Sequence, residues 1–591
     1  MNSEVRTPPK DRRALTPDDE YESASGGAVS FGRPDRPLYG RFHAATGSVF
    51  GAVVLCPPLG YEFVATYRAY RALAIRLVDA GFDVLRFDLD GTGNSAGFEG
   101  DSARLSAWKS SVIEAVRMLE SIGHSRPHVV GVRFGAALAV LASTEAELGT
   151  LVLWDPWPSK RTVRTMHAAS MLWRDESPGP TDPGSLVIAG HYISAETLAD
   201  IRAIDITGLD HCAAEAVTFI VDDVSPYVES LMRHFEALAV KVSCLTIPGT
   251  TELLDVLAET AVVPGRIVEA IVDTLAARRR VTPSVRRPSL GASSRSIDSC
   301  YAEHFVRFGD VPLVGVLTTP DSPIHHGVVI FLNNGLARLV GPARTWVEWS
   351  RALAANGVST LRLDTSGLGD SATRPGQRRD AGYAIEAIDD LQIVTTELRV
   401  SGHGPSMLAG VCSGALLSID AVQWLDAIVG VVSINPSLHH TPDEPGAPSR
   451  RRRAAPPTQR WLQRSFTTRA GYKLTPMIPS FVWATLSAVR LHPVPSKGVE
   501  RAAQIKPIVL AYWIDDEGLQ RLRRQDKAGY KRLRSHASIE FHELDPGDHS
   551  LFSRSMRDTT FKILLDTAKR LLPDVVRDEG HDERSRPDPT R

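Results

Sequence analysis

Short apolar runs alternate with longer amphipathic stretches along most of the chain, and many of the runs end in glycine or a small polar residue. In the first half, residues 51–56 read as a buried strand. The stretch carrying Tyr70, Leu73, Ala74 and Leu77 reads as a helix reaching Gly81, and residues 82–87 as the next strand. The glycines of Asp88-Leu89-Asp90-Gly91-Thr92-Gly93-Asn94-Ser95 end that strand in a tight turn. A helix near residues 108–119 and a strand at 128–130 then lead to Gly131-Val132-Arg133-Phe134-Gly135. Buried strands separated by helices predict a parallel α/β sheet.

The same order returns later. Residues 328–332 form the strand, Asn333-Asn334-Gly335-Leu336 the loop, and residues 361–371 the Gly-rich strand end, matching residues 85–95 at Leu, Arg, Asp, both glycines and Ser. The second elbow is Gly410-Val411-Cys412-Ser413-Gly414, which sets Cys412 opposite Arg133. Further on, residues 218–223 align with 511–516, and Pro248-Gly249-Thr250-Thr251 with Pro546-Gly547-Asp548-His549. The expected fold is therefore two copies of one α/β unit, each a doubly wound, mostly parallel sheet with an inserted cap.

Low apolar content and a richness in charge and proline mark residues 1–30 as a disordered leader, 278–299 as a linker and 574–591 as a disordered tail. The units are then 31–277, with a cap at about 156–200, and 300–573, with a cap at about 435–500 that holds the arginine run 450–453. At 591 residues the chain has ample length for two cores. A net charge of -2 gives no global attraction to nucleic acid or acidic membrane. The five cysteines are odd in number and scattered, which argues against a disulfide framework or a zinc site and for a reducing cytoplasm. Neither a signal peptide nor a membrane span is expected, and with no metal, nucleotide or flavin motif, no cofactor is expected.

The chemistry gathers in the second unit. A side chain at the centre of a Gly-flanked turn between strand and helix projects from the carboxyl edge of the sheet, and the helix N-terminus favours thiolate there. Cys412 is the candidate nucleophile, His549 the base on a later loop, and Asp516 the acid that orients it, with Asp515 as the other choice. Backbone N–H groups of Ser413 and Leu336 are the expected oxyanion donors. In the first unit arginine replaces the nucleophile and Thr251 stands where the base would be, so no such triad forms. Arg133 is left with two roles, a structural ion pair under the cap or capture of a ligand carboxylate or phosphate.

The segments Pro57-Pro58-Leu59-Gly60-Tyr61-Glu62, Leu85-Arg86-Phe87-Asp88 and Gly91-Thr92-Gly93-Asn94-Ser95-Ala96-Gly97, with an arginine elbow, resemble the α/β-hydrolase superfamily. They are closest in look to its serine-aminopeptidase-like branch found beside bacterial exosortase and secondary-metabolite genes. The resemblance implies two tandem α/β-hydrolase domains, the first degenerate. The cysteine elbow is similar to that of dienelactone hydrolases. It implies acyl transfer from a thioester, ester or lactone, free or carrier-bound, through an acyl-cysteine, in secondary-metabolite or exopolysaccharide biosynthesis. The other reading is a non-catalytic binding or assembly protein built from two pseudohydrolases.

Overall fold

A computed structural model describes residues 26–574 apart from 46, 173–181, 259, 280–293, 299, 383, 385 and 439–494. Most of the second cap with its arginine run, the body of the linker and nearly all of both tails lie outside the described residues. In the first half the strands are β1 (Gly27–Arg33), β2 (Arg36–His43), β3 (Ala52–Cys56), β4 (Asp83–Phe87), β5 (His128–Val132), β6 (Leu148–Trp154), β7 (Leu186–Ile188), β8 (His191–Ile193), β9 (Ala214–Val221) and β10 (Lys241–Thr246). In the second they are β11 (Ser294–Asp298), β12 (Tyr301–Phe308), β13 (Leu313–Pro320), β14 (Val328–Phe331), β15 (Ser359–Asp364), β16 (Ser406–Val411), β17 (Ile428–Ile434), β18 (Ile508–Trp513) and β19 (Ile539–Leu544).

The first sheet runs β1-β2-β4-β3-β5-β6-β9-β10, and the second β11-β12-β13-β15-β14-β16-β17-β18-β19. Leaving out β11, the two orders are the same, and in each the strands from β4 or β15 onward are parallel. Strands such as Ala52–Cys56 and Val328–Phe331 are apolar throughout because helices cover both faces. The helix Gly60–Asp79, for example, turns Ala65, Ala69, Leu73 and Leu77 inward at helical spacing.

Three expectations shift at their edges. Residues 27–30 of the predicted leader belong to β1, which pairs antiparallel with β2. Residues 294–298 of the predicted linker form β11, an edge strand added to the second sheet. The polar composition of Ser294-Arg295-Ser296-Ile297-Asp298 hides the second of these from a reading of composition. The alignment of 218–223 with 511–516 also slips. Trp154 pairs with Val132 and Ile220, while Ile434 pairs with Val411 and Ala511, so Ile220 rather than Thr218 is the counterpart of Ala511.

The halves meet through equivalent Gly-rich turns. Arg86 on β4 donates to Asp370 of the second half at 2.6 Å, and its counterpart Arg362 on β15 donates to Asn94 of the first at 2.6 Å. Asn94 and Asp370 hold matching places in the repeat, so the contact is reciprocal, as in a twofold dimer. Arg344 adds bonds to the carbonyls of Gly93 (2.9 Å) and Ser95 (2.7 Å). Asp88 and Asp364 serve the turns themselves, accepting from the N–H groups of Asn94 and Asp370.

Candidate active site

Cys412 lies between β16 and the helix Ser413–Val422, at φ 54° and ψ −109°. That left-handed backbone is strained for any side chain but glycine. Its neighbours have no room for a side chain, since a Cβ on Gly410 would run into Gly414 and one on Gly414 would sit 2.6 Å from the Asn333 carbonyl. The thiol is thereby raised over the first turn of the helix, where Ser413 N–H is among the donors without an intrahelical partner.

The acid and the base arrive from the next strand ends. Asp516, fully buried, caps the helix Glu517–Gln525 by accepting from Gly518 N–H at 2.8 Å and Leu519 N–H at 3.3 Å through Oδ1. Its other oxygen, Oδ2, lies 2.5 Å from His549 Nδ1. Asp515, next to it, is exposed. Burial alone would lower the His549 pKa, but hydrogen bonds to Asp516 and Cys412 and the charges of both groups raise it to about 10. The imidazole thus has the Asp516 carboxylate at Nδ1, with Cys412 among the groups that favour its charged form.

The loop at the end of β14 covers the helix start. Gly335 N–H donates to Ser413 Oγ at 2.8 Å, which fixes the loop above the elbow with Leu336 next in line. Sequence reading missed several supports. Asn435, at φ 46°, donates to the carbonyls of Asp548 and His549, both at 2.9 Å, and accepts from Trp513 N–H at 2.8 Å. Asp548 accepts from the N–H groups of Ser550, Phe552 and Ser553 at 2.8, 2.9 and 2.5 Å and so shapes the His549 loop. Ser437 Oγ lies 3.8 Å from Cys412 Sγ. An Asn-Pro pair just past β17 was the available signal for Asn435.

The first half repeats the elbow with other chemistry. Arg133 takes φ 51° and ψ −116°. Its guanidinium pairs with Asp155 at 2.6 Å, Asp255 at 3.0 Å and Glu62 at 3.5 Å, and lies 3.5 Å from the centre of the Trp157 ring. These contacts make the ion pair, one of the two roles expected for Arg133, while its Nε and Nη1 are buried without a hydrogen bond of good geometry. Thr251 Oγ1 donates to Asp222 at 3.3 Å, a contact that carries no transferable proton near neutrality. A cavity of about 660 Å³ opens over Arg133.

Among the described residues no three His, Cys, Asp or Glu side chains gather in a way that could hold a metal ion, and no helix is long and apolar enough to cross a membrane. The alpha/beta hydrolase family matches residues 325–561. Among solved structures, the chain is similar to a dienelactone hydrolase from Anabaena variabilis, at 14% identity over 46% of this chain and 99% of that one, with a TM-score of 0.30. It is similar to an esterase of Pyrococcus furiosus at 16% identity, over 46% and 91%, with a TM-score of 0.29. A thioesterase domain from the curacin biosynthetic pathway stands at 17% identity, over 45% and 100%, with a TM-score of 0.28. No curated protein matches the sequence.

Proposed function

We propose, from the premise that this chain is built of two tandem alpha/beta-hydrolase domains, that the second is an acyl-transfer enzyme acting through an acyl-Cys412 intermediate. The observation that carries this reading is the 2.5 Å contact of His549 Nδ1 with Asp516 at the strand ends next to the Cys412 elbow, with Cys412 among the groups that raise the His549 pKa. An imidazolium beside a thiol favours the thiolate, which is the attacking form.

The thiolate of Cys412 adds to the carbonyl carbon of a thioester, ester or lactone. The oxyanion that forms is held by Ser413 N–H and by Leu336 N–H. As the intermediate collapses, the carbon–leaving-group bond breaks and His549 gives its proton to the departing sulfur or oxygen. Water or another acceptor then attacks the acyl-cysteine, His549 takes the acceptor's proton, and Cys412 leaves as thiolate. Asp516 keeps Nδ1 protonated throughout, so that Nε2 is the atom that exchanges the proton. Free and carrier-bound acyl groups, in a cytoplasmic biosynthetic setting, are the substrate class this chemistry suits, and no step of it calls for a cofactor.

The other cysteines make a built-in control. Burial pushes the thiols of Cys56 and Cys244 up, away from the reactive form. With limiting iodoacetamide near neutrality, Cys412 is expected to be alkylated well before Cys56, Cys212, Cys244 and Cys300, and turnover of an activated thioester to fall in step. Uniform labelling, or full turnover after Cys412 is blocked, contradicts the reading.

A further inference from the structure

The first elbow carries arginine where a nucleophile would stand, yet over it lies a cavity of about 660 Å³, within the range of small-molecule sites. Its walls are apolar and partly aromatic, with Trp108, Phe134, Met166, Ile188, Ile193 and Leu254 among them. Its floor is the Arg133 group. There Arg133 faces the carboxylates of Glu62, Asp155 and Asp255, and Arg161, 3.9 Å from the centre of the Trp157 ring, adds a second positive charge beside Asp155, so with all three carboxylates ionised negative charge exceeds positive by one. Glu99 and His191, also among the lining residues, lie 2.6 Å apart and pair with one another.

We propose that this cavity binds an apolar molecule ending in a protonated amine, with the ammonium group at Glu62 and Asp255 and the tail along the apolar walls. The two carboxylates are the accessible members of the cluster, their side chains 28% and 46% exposed, whereas Arg133 is 3% exposed and enclosed by its partners. A ligand anion would have to displace one of those carboxylates to reach Arg133. A ligand cation instead relieves the repulsion among them. Burial, against the pull of Arg133 and with smaller contributions from Asp255 and Asp155, pushes the Glu62 carboxyl up to about 7, and a bound ammonium favours its ionised form. Leu257, 52% exposed and among the lining residues, extends the apolar wall toward solvent. This site is separate from the acyl chemistry and does not depend on it.

The test is calorimetric titration of the full-length chain at neutral pH with decylamine, decanol and decanoate, which share a tail and differ in head group. One decylamine per chain is expected, bound about tenfold or more tighter than decanol, as a charge-assisted contact implies, with decanoate weakest. Glu62→Gln combined with Asp255→Asn should bring decylamine down to the level of decanol. Ala169→Trp, which fills the cavity from its helical wall, should abolish binding of all three while leaving the thermal midpoint in place. Cys412→Ala should bind decylamine like the unaltered chain, so failure of the acyl-transfer reading leaves this result untouched. Absence of binding, equal binding of amine and alcohol, tighter decanoate, or decylamine binding that survives Ala169→Trp overturns the proposal.

Discussion

The two elbows differ by only a few degrees in backbone, φ 51° and ψ −116° at Arg133 against φ 54° and ψ −109° at Cys412, yet their side chains face opposite chemical settings. In each, the flanking glycines are forced by the same crowding, Gly131 against Gly135 and Gly410 against Gly414. The strained turn is therefore a property of how strand and helix pack in this fold, and it persists with a residue that cannot attack a carbonyl. Reactivity enters only with what surrounds the turn. Around Arg133 stand three carboxylates and a Trp157 ring that hold a permanent cation in place. Around Cys412 stand an imidazole and, behind it, one fully buried carboxylate. The contrast teaches that the elbow geometry alone is weak ground for assigning an enzyme.

The sharpest way to break this contrast is His549→Ala. It leaves the second elbow with a thiol but no base, much as the first has a turn but no base, and acyl transfer should fall by on the order of 10⁴-fold or more in single-turnover assays. Adding Thr251→His in the first domain should restore nothing, because Arg133 offers no nucleophile.

Asp516→Asn comes next, with an expected loss of about 10³ to 10⁴ in kcat, since the amide favours the wrong imidazole tautomer. It also bears on pH. The folded pKa of His549 is raised from 6.5 to about 10, so the favourable interactions of its charged form are fully present below 6.5 and fade as pH rises through about 10. Acylation rates should therefore hold across neutral pH and decline near 10. In Asp516→Asn that decline should move to lower pH, which a pH profile of kcat/KM reads directly.

Much of this layout was legible in the residues. The repeat, both elbows, and the placing of Cys412, Asp516 and His549 at three strand ends were visible because glycine turns and apolar runs are local signals. The choice of Asp516 over Asp515 rested on spacing to Leu519, and the structure sets Asp516 against His549 while leaving Asp515 exposed. What escaped depends on contacts between distant segments. Glu62, in the first turn of the helix Gly60–Asp79, Asp155, just past β6, and Asp255, a hundred residues further on, converge on Arg133 from three separate segments, and nothing near any of them announces it. The register of β9 is set by pairing with β6, so a sequence alignment that matched its acidic end slid along the apolar run. Asn435 acts through backbone carbonyls of the His549 loop, more than a hundred residues away.

Smaller effects sharpen the comparison further. Leu336→Pro removes a backbone donor from the loop above Cys412 and should slow acylation by about 10²- to 10³-fold, with the thermal midpoint as the check on folding. Asp370→Ala acts between the halves. It leaves Arg86 and Arg41 buried without their carboxylate and should lower stability by about 3 to 5 kcal/mol in denaturant melts. If the halves unfold separately, that loss should appear in both transitions.

The most direct measurement is intact-mass analysis of the whole chain after seconds of exposure to a small acyl thioester, followed by peptide mapping. The account predicts one acyl group per chain, carried on Cys412, present in the unaltered protein and in Arg133→Ala, and absent in Cys412→Ala. No adduct, or an adduct that persists in Cys412→Ala on Cys56, Cys212, Cys244 or Cys300, contradicts it.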